Sequence, residues 1–168
     1  AVEKLLAPAE NVVPFRISRT VDEIVASRAK HLTGYQNAAL AERYTAVWME
    51  PDGDRRRKAI ADLWSEDAIH VLQPTQEVYE AADERAVNPT WQVRGHAELE
   101  ARVTSAYEDF VATGQMAFRT RNGAKRLGDV VTWRWEGVSP DGEVLGAGLE
   151  FVVLAADGRI ATDYQFVE

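Results

Sequence analysis

The sequence ends in three runs of β-branched and aromatic residues that are separated by two Asp-Gly pairs. The pairs are Asp141-Gly142 and Asp157-Gly158, and Asp-Gly between such runs is a strong hairpin signal. The runs cover residues 130–136, 143–154 and 159–167. They therefore predict a meander of at least three antiparallel strands at the end of the chain.

The residues before the meander mostly predict helices. Thr20 with Glu23 forms a capping box that predicts a helix ending near Gly34. Apolar spacing and turn residues predict the other elements. Helices are predicted at 36–49, from the turn at 51–54 to residue 65, and at 95–111. Strands are predicted at 68–72 and 115–121. Helices first and an antiparallel sheet last are typical of an α+β domain whose sheet wraps round a pocket.

Composition excludes several classes of function. The chain has 168 residues, which suits one domain at 20–168 preceded by an extended arm at 1–19 that contains two prolines. It has no cysteine, which excludes thiolate catalysis, and its net charge of −8 argues against a nucleic-acid partner. No apolar run approaches the roughly 20 residues of a membrane helix. We also see no secretory signal and therefore expect a cytoplasmic protein without a membrane partner.

Several short motifs occur in an order that resembles the nuclear transport factor 2-like (NTF2-like) superfamily, which includes ketosteroid isomerase and the SnoaL-like polyketide cyclases. These motifs are Arg43-Tyr44, residues 63–69, Val93-Arg94-Gly95, residues 148–154 and residues 157–160. The resemblance covers roughly residues 36–168. It implies a cone-shaped, curled antiparallel or mixed sheet wrapped around the N-terminal helices, with an internal pocket. The fold alone does not imply one reaction, because it serves isomerases, dehydratases, cyclases and non-catalytic binders.

Ketosteroid isomerase tests the resemblance at the level of chemistry, since it needs a carboxylate base together with a tyrosine and a protonated acid. Tyr44 matches the family's helix tyrosine. The resemblance places the base at Gln73, or at Leu72 if the gap falls differently, and the second acid at Leu149. Both carboxylates are therefore missing from these positions, and steroid-isomerase chemistry is not expected there.

Strand alternation predicts which side chains face the pocket. With the family's register in the last strand, the inward residues are Ala161, Asp163 and Gln165 there, Leu145, Ala147, Leu149 and Phe151 in the strand before it, and Val131, Trp133 and Trp135 in the strand before that. Asp163 is the leading candidate for catalysis, because a carboxylate in an apolar cavity should have a raised pKa. If the register is shifted, Asp163 is an ordinary solvent-facing residue.

His70 is the second catalytic candidate. This chain has extra residues relative to the family near the first strand. If they follow His70, its side chain faces the pocket and could pair with Asp163. If they precede His70, its side chain faces outward. Tyr44 and Gln165 would orient a ligand oxygen. Residues 73–93 form a long segment without a clear period, which predicts a lid, and Trp91 on it could close over a ligand. Gln73, Trp91, Trp133, Trp135, Leu149 and Gln165 are the predicted substrate-binding residues.

Neither metal nor cofactor is expected. The sequence has no two histidines at a metal-ligand helical spacing such as H-x-x-x-H and no His-rich cluster, and Gly146-Ala-Gly148 lies in a predicted strand rather than before a phosphate-binding helix. The outer sheet face, with Tyr164, Phe166, Thr132 and Val152, predicts a homodimer.

Two functions remain open from the sequence. The first is an isomerase, cyclase or lyase that uses general acid–base chemistry on a small hydrophobic carbonyl compound. The second is a binding or assembly module of the same fold without turnover.

Overall fold

The structure, a computed structural model, describes residues 21–74, 76, 80, 91–121 and 123–168. For residues 21–33 and Tyr35 the description covers the backbone alone. The chain divides into two compact units, Ala1–Leu32 and Thr33–Glu168. The sheet and the candidate site lie in the second unit. The predicted arm at 1–19 is outside the described residues, so the predicted division into an arm and one domain stays a prediction.

The described helices are α1 (Val21–Met49), α2 (Gly53–Leu63) and α3 (Gly95–Ala106), which continues into a π-helix at Tyr107–Val111. The predicted break near Gly34 is wrong, because α1 passes through that residue. A glycine ends a helix mainly by taking a positive φ, and Gly34 does not have one. Within the described residues no helix is long and apolar enough to cross a membrane.

α2 begins at Gly53, inside the predicted turn, because the Asp52 side chain caps the helix by accepting a hydrogen bond from the backbone N–H of Arg55 at 2.8 Å. The prediction that this helix reaches residue 65 is wrong. Trp64 instead starts a strand, and its backbone pairs with that of Ile160. Trp64 and Ile60 are nevertheless fully buried, as predicted from their spacing.

The described part of the chain forms a curled, unclosed sheet of seven strands. The strands are β1 (Trp64–Leu72), β2 (Trp91–Arg94), β3 (Ala117–Thr120), β4 (Lys125–Leu127), β5 (Val130–Val138), β6 (Val144–Leu154) and β7 (Ile160–Val167). Their order is β2-β1-β7-β6-β5-β3, with β4 on β5, and only β1 and β7 run parallel. This mixed sheet after the helices confirms the predicted α+β fold class. It also confirms the terminal meander, since Gly142 and Gly158 have the positive φ that its two Asp-Gly turns require.

A one-residue bulge at the start of β7 decides which side chains of β6 face the core. Leu154 pairs with Ile160, but Val153 pairs with Thr162, so Ala161 is an extra residue on β7. Beyond the bulge Val152 therefore pairs with Asp163. Without the extra residue, the partner of Asp163 would have been one position earlier on β6.

The bulge makes one predicted set of inward residues wrong. That set on β6 is Leu145, Ala147, Leu149 and Phe151. Leu149 instead pairs with Phe166 and Phe151 with Tyr164, on the outer face of the sheet. Val152 is fully buried, so its predicted place on the outer face is also wrong. On β5, Val131 and Trp133 are buried on the inner face, as predicted.

Candidate functional site

A cavity of about 270 Å³ lies between α1, the end of α3 with its π-helix, and the inner face of the sheet. Its wall is largely aromatic and aliphatic. The lining residues are Tyr44, Thr45, Trp48, Leu72, Arg102, Ala106, Phe110, Met116, Phe118, Trp135, Gly146, Glu150, Gln165 and Val167. An apolar cavity with a few convergent polar groups is the usual form of a small-molecule site.

Glu150 is the carboxylate that faces this cavity. Its residue is fully buried, and neither carboxyl oxygen has a hydrogen-bond partner among the described residues. It stands on β6 between Trp133 and Gln165, its cross-strand neighbours. A buried carboxyl without partners is costly, so a role in contact with a ligand accounts for it better than a role in folding does.

Asp163 lies beside Glu150 on the inner face but does not line the cavity. It is fully buried, and its Oδ2 accepts a hydrogen bond from the Trp64 indole N–H at 3.4 Å. Its Oδ1 has no partner among the described residues. Burial raises the pKa of Asp163 from 3.8 to about 7, although the nearby polar groups of Glu150, Tyr44 and Trp64 oppose that rise.

The two carboxyls titrate as a pair. Burial raises the pKa of Glu150 well above 4.5, and the nearby charge of Asp163 raises it further. Two buried carboxyls this close cannot both ionise easily. Near pH 7 the pair therefore holds at least one proton, kept mainly by Glu150, and it can both accept and donate a proton.

His70 pairs with Asp163 across β1 and β7, with Nε2 at 3.8 Å from Asp163 Oδ2. Its Nδ1 is 2.9 Å from Arg102 Nη1. Because arginine can only donate, Nδ1 must accept, and the imidazole proton lies on Nε2, toward Asp163. Burial, and then the Arg102 charge, lower the pKa of His70 to about 3. His70 is thus neutral at physiological pH.

Tyr44 forms part of the cavity wall and of an aromatic cluster. Its ring lies 5.1 Å from that of Trp64 and 5.0 Å from that of Trp133. Burial raises the pKa of its hydroxyl well above 10, and the charges of Asp163 and Glu150 add to the rise. The hydroxyl makes no hydrogen bond to the described residues within normal geometry. It therefore remains a neutral donor next to the carboxyl pair.

The structure brings some of the predicted site residues to the cavity and keeps others away. Tyr44, Trp135 and Gln165 line it, while Asp163, His70 and Trp133 are buried but do not line it. The remaining three predicted residues, Gln73, Trp91 and Leu149, are elsewhere.

Each of these three has another place in the fold. Gln73 uses its backbone and side chain to extend the pairing with β7, through Gln165 and Val167. Trp91 is 39% exposed at the start of β2, and Leu149 lies on the outer sheet face. Most of the predicted lid at 73–93 is outside the described residues.

Glu150 and Arg102 are the site residues that the sequence interpretation missed. A usable signal existed for Glu150, because it is the only charged residue in the run from Val144 to Leu154. A charge inside an apolar strand is expensive unless it has a purpose. For Arg102, one arginine among many on a helix, the sequence carries no comparable signal. Among the described residues no three acidic or histidine side chains form a metal-binding group.

Comparison with known proteins identifies the fold. No protein-family model matches the chain, and neither does any curated protein. A candidate isomerase of the SnoaL-like family from Agrobacterium tumefaciens has a similar structure, with TM-score 0.65, 24% identity, and coverage of 80% of this chain and 98% of that one. An NTF2-like protein of unknown function from an Exiguobacterium species is similar with TM-score 0.51 and 20% identity over 77% of this chain and 98% of its own. The chain therefore has the SnoaL-like, NTF2-like fold, which confirms the resemblance found in the sequence.

Proposed function

We propose that the protein is an enzyme that moves a proton on a small hydrophobic carbonyl compound, with Glu150 as the general acid and base. The observation that carries this proposal is the fully buried Glu150 carboxyl, unpartnered among the described residues, in the wall of an apolar cavity. The reaction class is isomerisation, cyclisation or dehydration, since each of them needs a proton to be taken from one atom and given to another.

The carboxyl pair supplies both directions of transfer. When the single proton of the pair lies on Asp163, the Glu150 carboxylate removes a proton from the carbon next to the carbonyl, and the electron pair of that C–H bond moves to the carbonyl oxygen as an enolate. Glu150 then returns this proton to a second carbon as the carbonyl re-forms, or it protonates a hydroxyl on the next carbon, whose C–O bond breaks to release water while the enolate's electron pair forms a C=C bond. Asp163 acts through Glu150 as a positioning residue, because its charge raises the pKa of Glu150.

Two other side chains hold the substrate oxygen. The neutral Tyr44 hydroxyl and the Gln165 amide both line the cavity. Each can donate a hydrogen bond to an oxygen that gains charge in the transition state. His70 does not line the cavity and is neutral near pH 7, so it acts as a positioning residue for Asp163 rather than as a proton carrier.

A binding module without turnover is the second candidate. It is favoured by the fact that Asp163 and His70, two of the three predicted catalytic residues, do not line the cavity. In that case the aromatic wall would hold a hydrophobic ligand, and Glu150 would serve only as a hydrogen-bonding anchor.

Exchange of carbon-bound hydrogen separates these candidates without knowledge of the natural substrate. Small cyclic ketones and enones are incubated with the protein in D₂O, and NMR measures deuterium incorporation next to the carbonyl. We expect Glu150→Gln to lower the exchange rate by about 100-fold or more, the usual contribution of one acid–base group. Ligand affinity should change by no more than a few-fold.

Glu143→Gln is the matched control, since it makes the same chemical change on an exposed residue just before β6. Unchanged exchange in Glu150→Gln would refute the role of Glu150. Binding of the ketones without any exchange by the wild-type protein would favour the binding module.

A further inference from the structure

Arg102 is the cation in the wall of the cavity, and its position is well defined. It stands on α3, and its Nη1 donates to three acceptors at one end of β1 and β2. These are His70 Nδ1 at 2.9 Å, the Trp91 carbonyl at 3.2 Å and the His70 carbonyl at 3.4 Å. Such an anchor fixes the plane of the guanidinium group without neutralising its charge, because all three acceptors are neutral.

The other edge of the guanidinium group carries the donors that remain. Nε and Nη2 of Arg102 make no hydrogen bond to the described residues, and no carboxylate there forms an ion pair with Arg102. These two nitrogens form a planar fork that matches the two oxygens of a carboxylate.

The surroundings also favour an anion. Arg102 is half-buried, and burial lowers its pKa because water no longer fully solvates its charge. Glu150 and Asp163 only partly compensate the charge of Arg102, because the pair holds at least one proton near pH 7. A cation in this setting gains most from an anionic group that enters with the ligand. A monoanion suits the site, since the walls around Arg102 are otherwise apolar, with Ala106, Phe110 and Leu72.

We infer that the substrate is a small hydrophobic carboxylic acid, whose carboxylate binds the Nε–Nη2 edge of Arg102 while its carbonyl end faces Glu150. This inference deepens the proposed function and rests on it for the role of the carbonyl end. Arg102 would then orient the substrate along the cavity, which makes it a specificity-determining residue.

Binding of two matched probes tests the inference apart from catalysis. Cyclohexylacetate and cyclohexylacetamide differ only in the charged group, and neither absorbs where tryptophan does. Their binding is followed by the fluorescence of Trp48 and Trp135, which line the cavity. We expect the acid to bind the wild-type protein at least about tenfold more tightly than the amide, as for a paired, charge-assisted contact.

Three variants make the test specific. Arg102→Gln should abolish the preference for the acid and leave amide affinity within about twofold, whereas Arg102→Lys should keep only part of the preference because it lacks the fork. Arg159→Gln removes the same charge at an exposed turn, and the preference should survive there. Melting curves show whether each variant is folded.

The possible results separate the two proposals. Equal affinity for acid and amide, or a preference that persists in Arg102→Gln, overturns the inference and leaves the proton-transfer proposal to the exchange assay. Failure of both probes to bind overturns both proposals, because each needs a cavity that accepts a small hydrophobic molecule. A preference that disappears equally in Arg102→Gln and Arg159→Gln would reflect net charge alone and also overturns the inference.

Discussion

Replacing Asp163 with asparagine should change how the stability of the protein depends on pH. An acid whose folded-state pKa is raised keeps its proton in the folded protein while the unfolded chain has already lost it. Stability is therefore lost as the pH rises from the unfolded pKa toward the folded one. For Asp163 this window runs from 3.8 to about 7. The asparagine side chain cannot ionise, so this loss should be absent from the variant.

The size of the effect follows from the two pKa values. Each pKa unit corresponds to about 1.36 kcal/mol, so that a rise of roughly three units costs about 4 kcal/mol of unfolding free energy at pH 8. The buried asparagine amide lacks a partner for its donors, which costs about 1–2 kcal/mol at every pH. We therefore expect Asp163→Asn to be about 1 kcal/mol less stable than wild type at pH 4 and about 2 kcal/mol more stable at pH 8.

Urea unfolding at half-unit steps from pH 4 to pH 8 measures the difference between the two proteins. Subtracting the unfolding free energies of the two proteins also removes the contribution of His70, whose pH dependence is opposite in sign to that of Asp163. The lowered pKa of His70 makes stability fall as the pH drops from 6.5 toward about 3, and it does so in both proteins. Asp141→Asn, at an exposed turn position where asparagine is equally favourable, is the control. If the difference in unfolding free energy between Asp163→Asn and wild type stays constant within about 1 kcal/mol from pH 4 to pH 8, Asp163 is not a buried carboxyl with a raised pKa.

Three further predictions concern the sheet. Gly146 lines the cavity and a Cβ there would meet no atom within 4 Å, so Gly146→Val should weaken probe binding by tryptophan fluorescence with little change in melting temperature. At Gly148 a Cβ would lie 2.5 Å from the Trp135 ring and closer still to the Phe166 carbonyl oxygen, so Gly148→Ala should lower stability by about 1–3 kcal/mol, and an unchanged melting temperature would contradict this. On the outer face of the sheet, Phe166 is 44% exposed and Tyr164 is 39% exposed. We propose that two copies of the chain form a homodimer through this face, and we expect Phe166→Lys to sediment as a monomer. A wild-type protein that sediments as a monomer would refute the dimer.

The elements with a strong local signal could be predicted from the sequence. The meander is determined by Asp141-Gly142 and Asp157-Gly158, because glycine adopts the positive φ that those turns need at little cost. The burial of Ile60 follows from helical spacing, whereas Trp64 is buried as the first residue of β1, because the helix ends earlier than predicted. The predicted helix end near Gly34 was wrong, because a glycine lowers helix propensity without requiring the helix to stop.

Placement of the site required long-range register, which has no local signature. The predicted facing of Asp163 and Gln165 on β7 and of the residues on β5 was right, because alternation within one strand is reliable away from a bulge. The same parity failed on β6, where the extra residue Ala161 shifts the pairing by one position. A shift of one residue moves every side chain to the other face of the sheet. The error therefore exchanged Leu149 for Glu150 at the cavity.

That exchange also changes the chemical argument drawn from the resemblance to ketosteroid isomerase. The resemblance places the second acid at Leu149, which is not an acid, but its neighbour Glu150 lines the cavity. At the other expected position Gln73 carries no carboxylate, and it bonds to β7 instead. The carboxyl available to a ligand is thus Glu150 on β6, with the buried Asp163 of β7 beside it, and Tyr44 and Arg102 line the same cavity. In the proposed reaction, one coupled carboxyl pair, Glu150 and Asp163, would therefore both take up and release the proton. Ketosteroid isomerase instead divides these roles between a base at the end of the first strand and a separate acid.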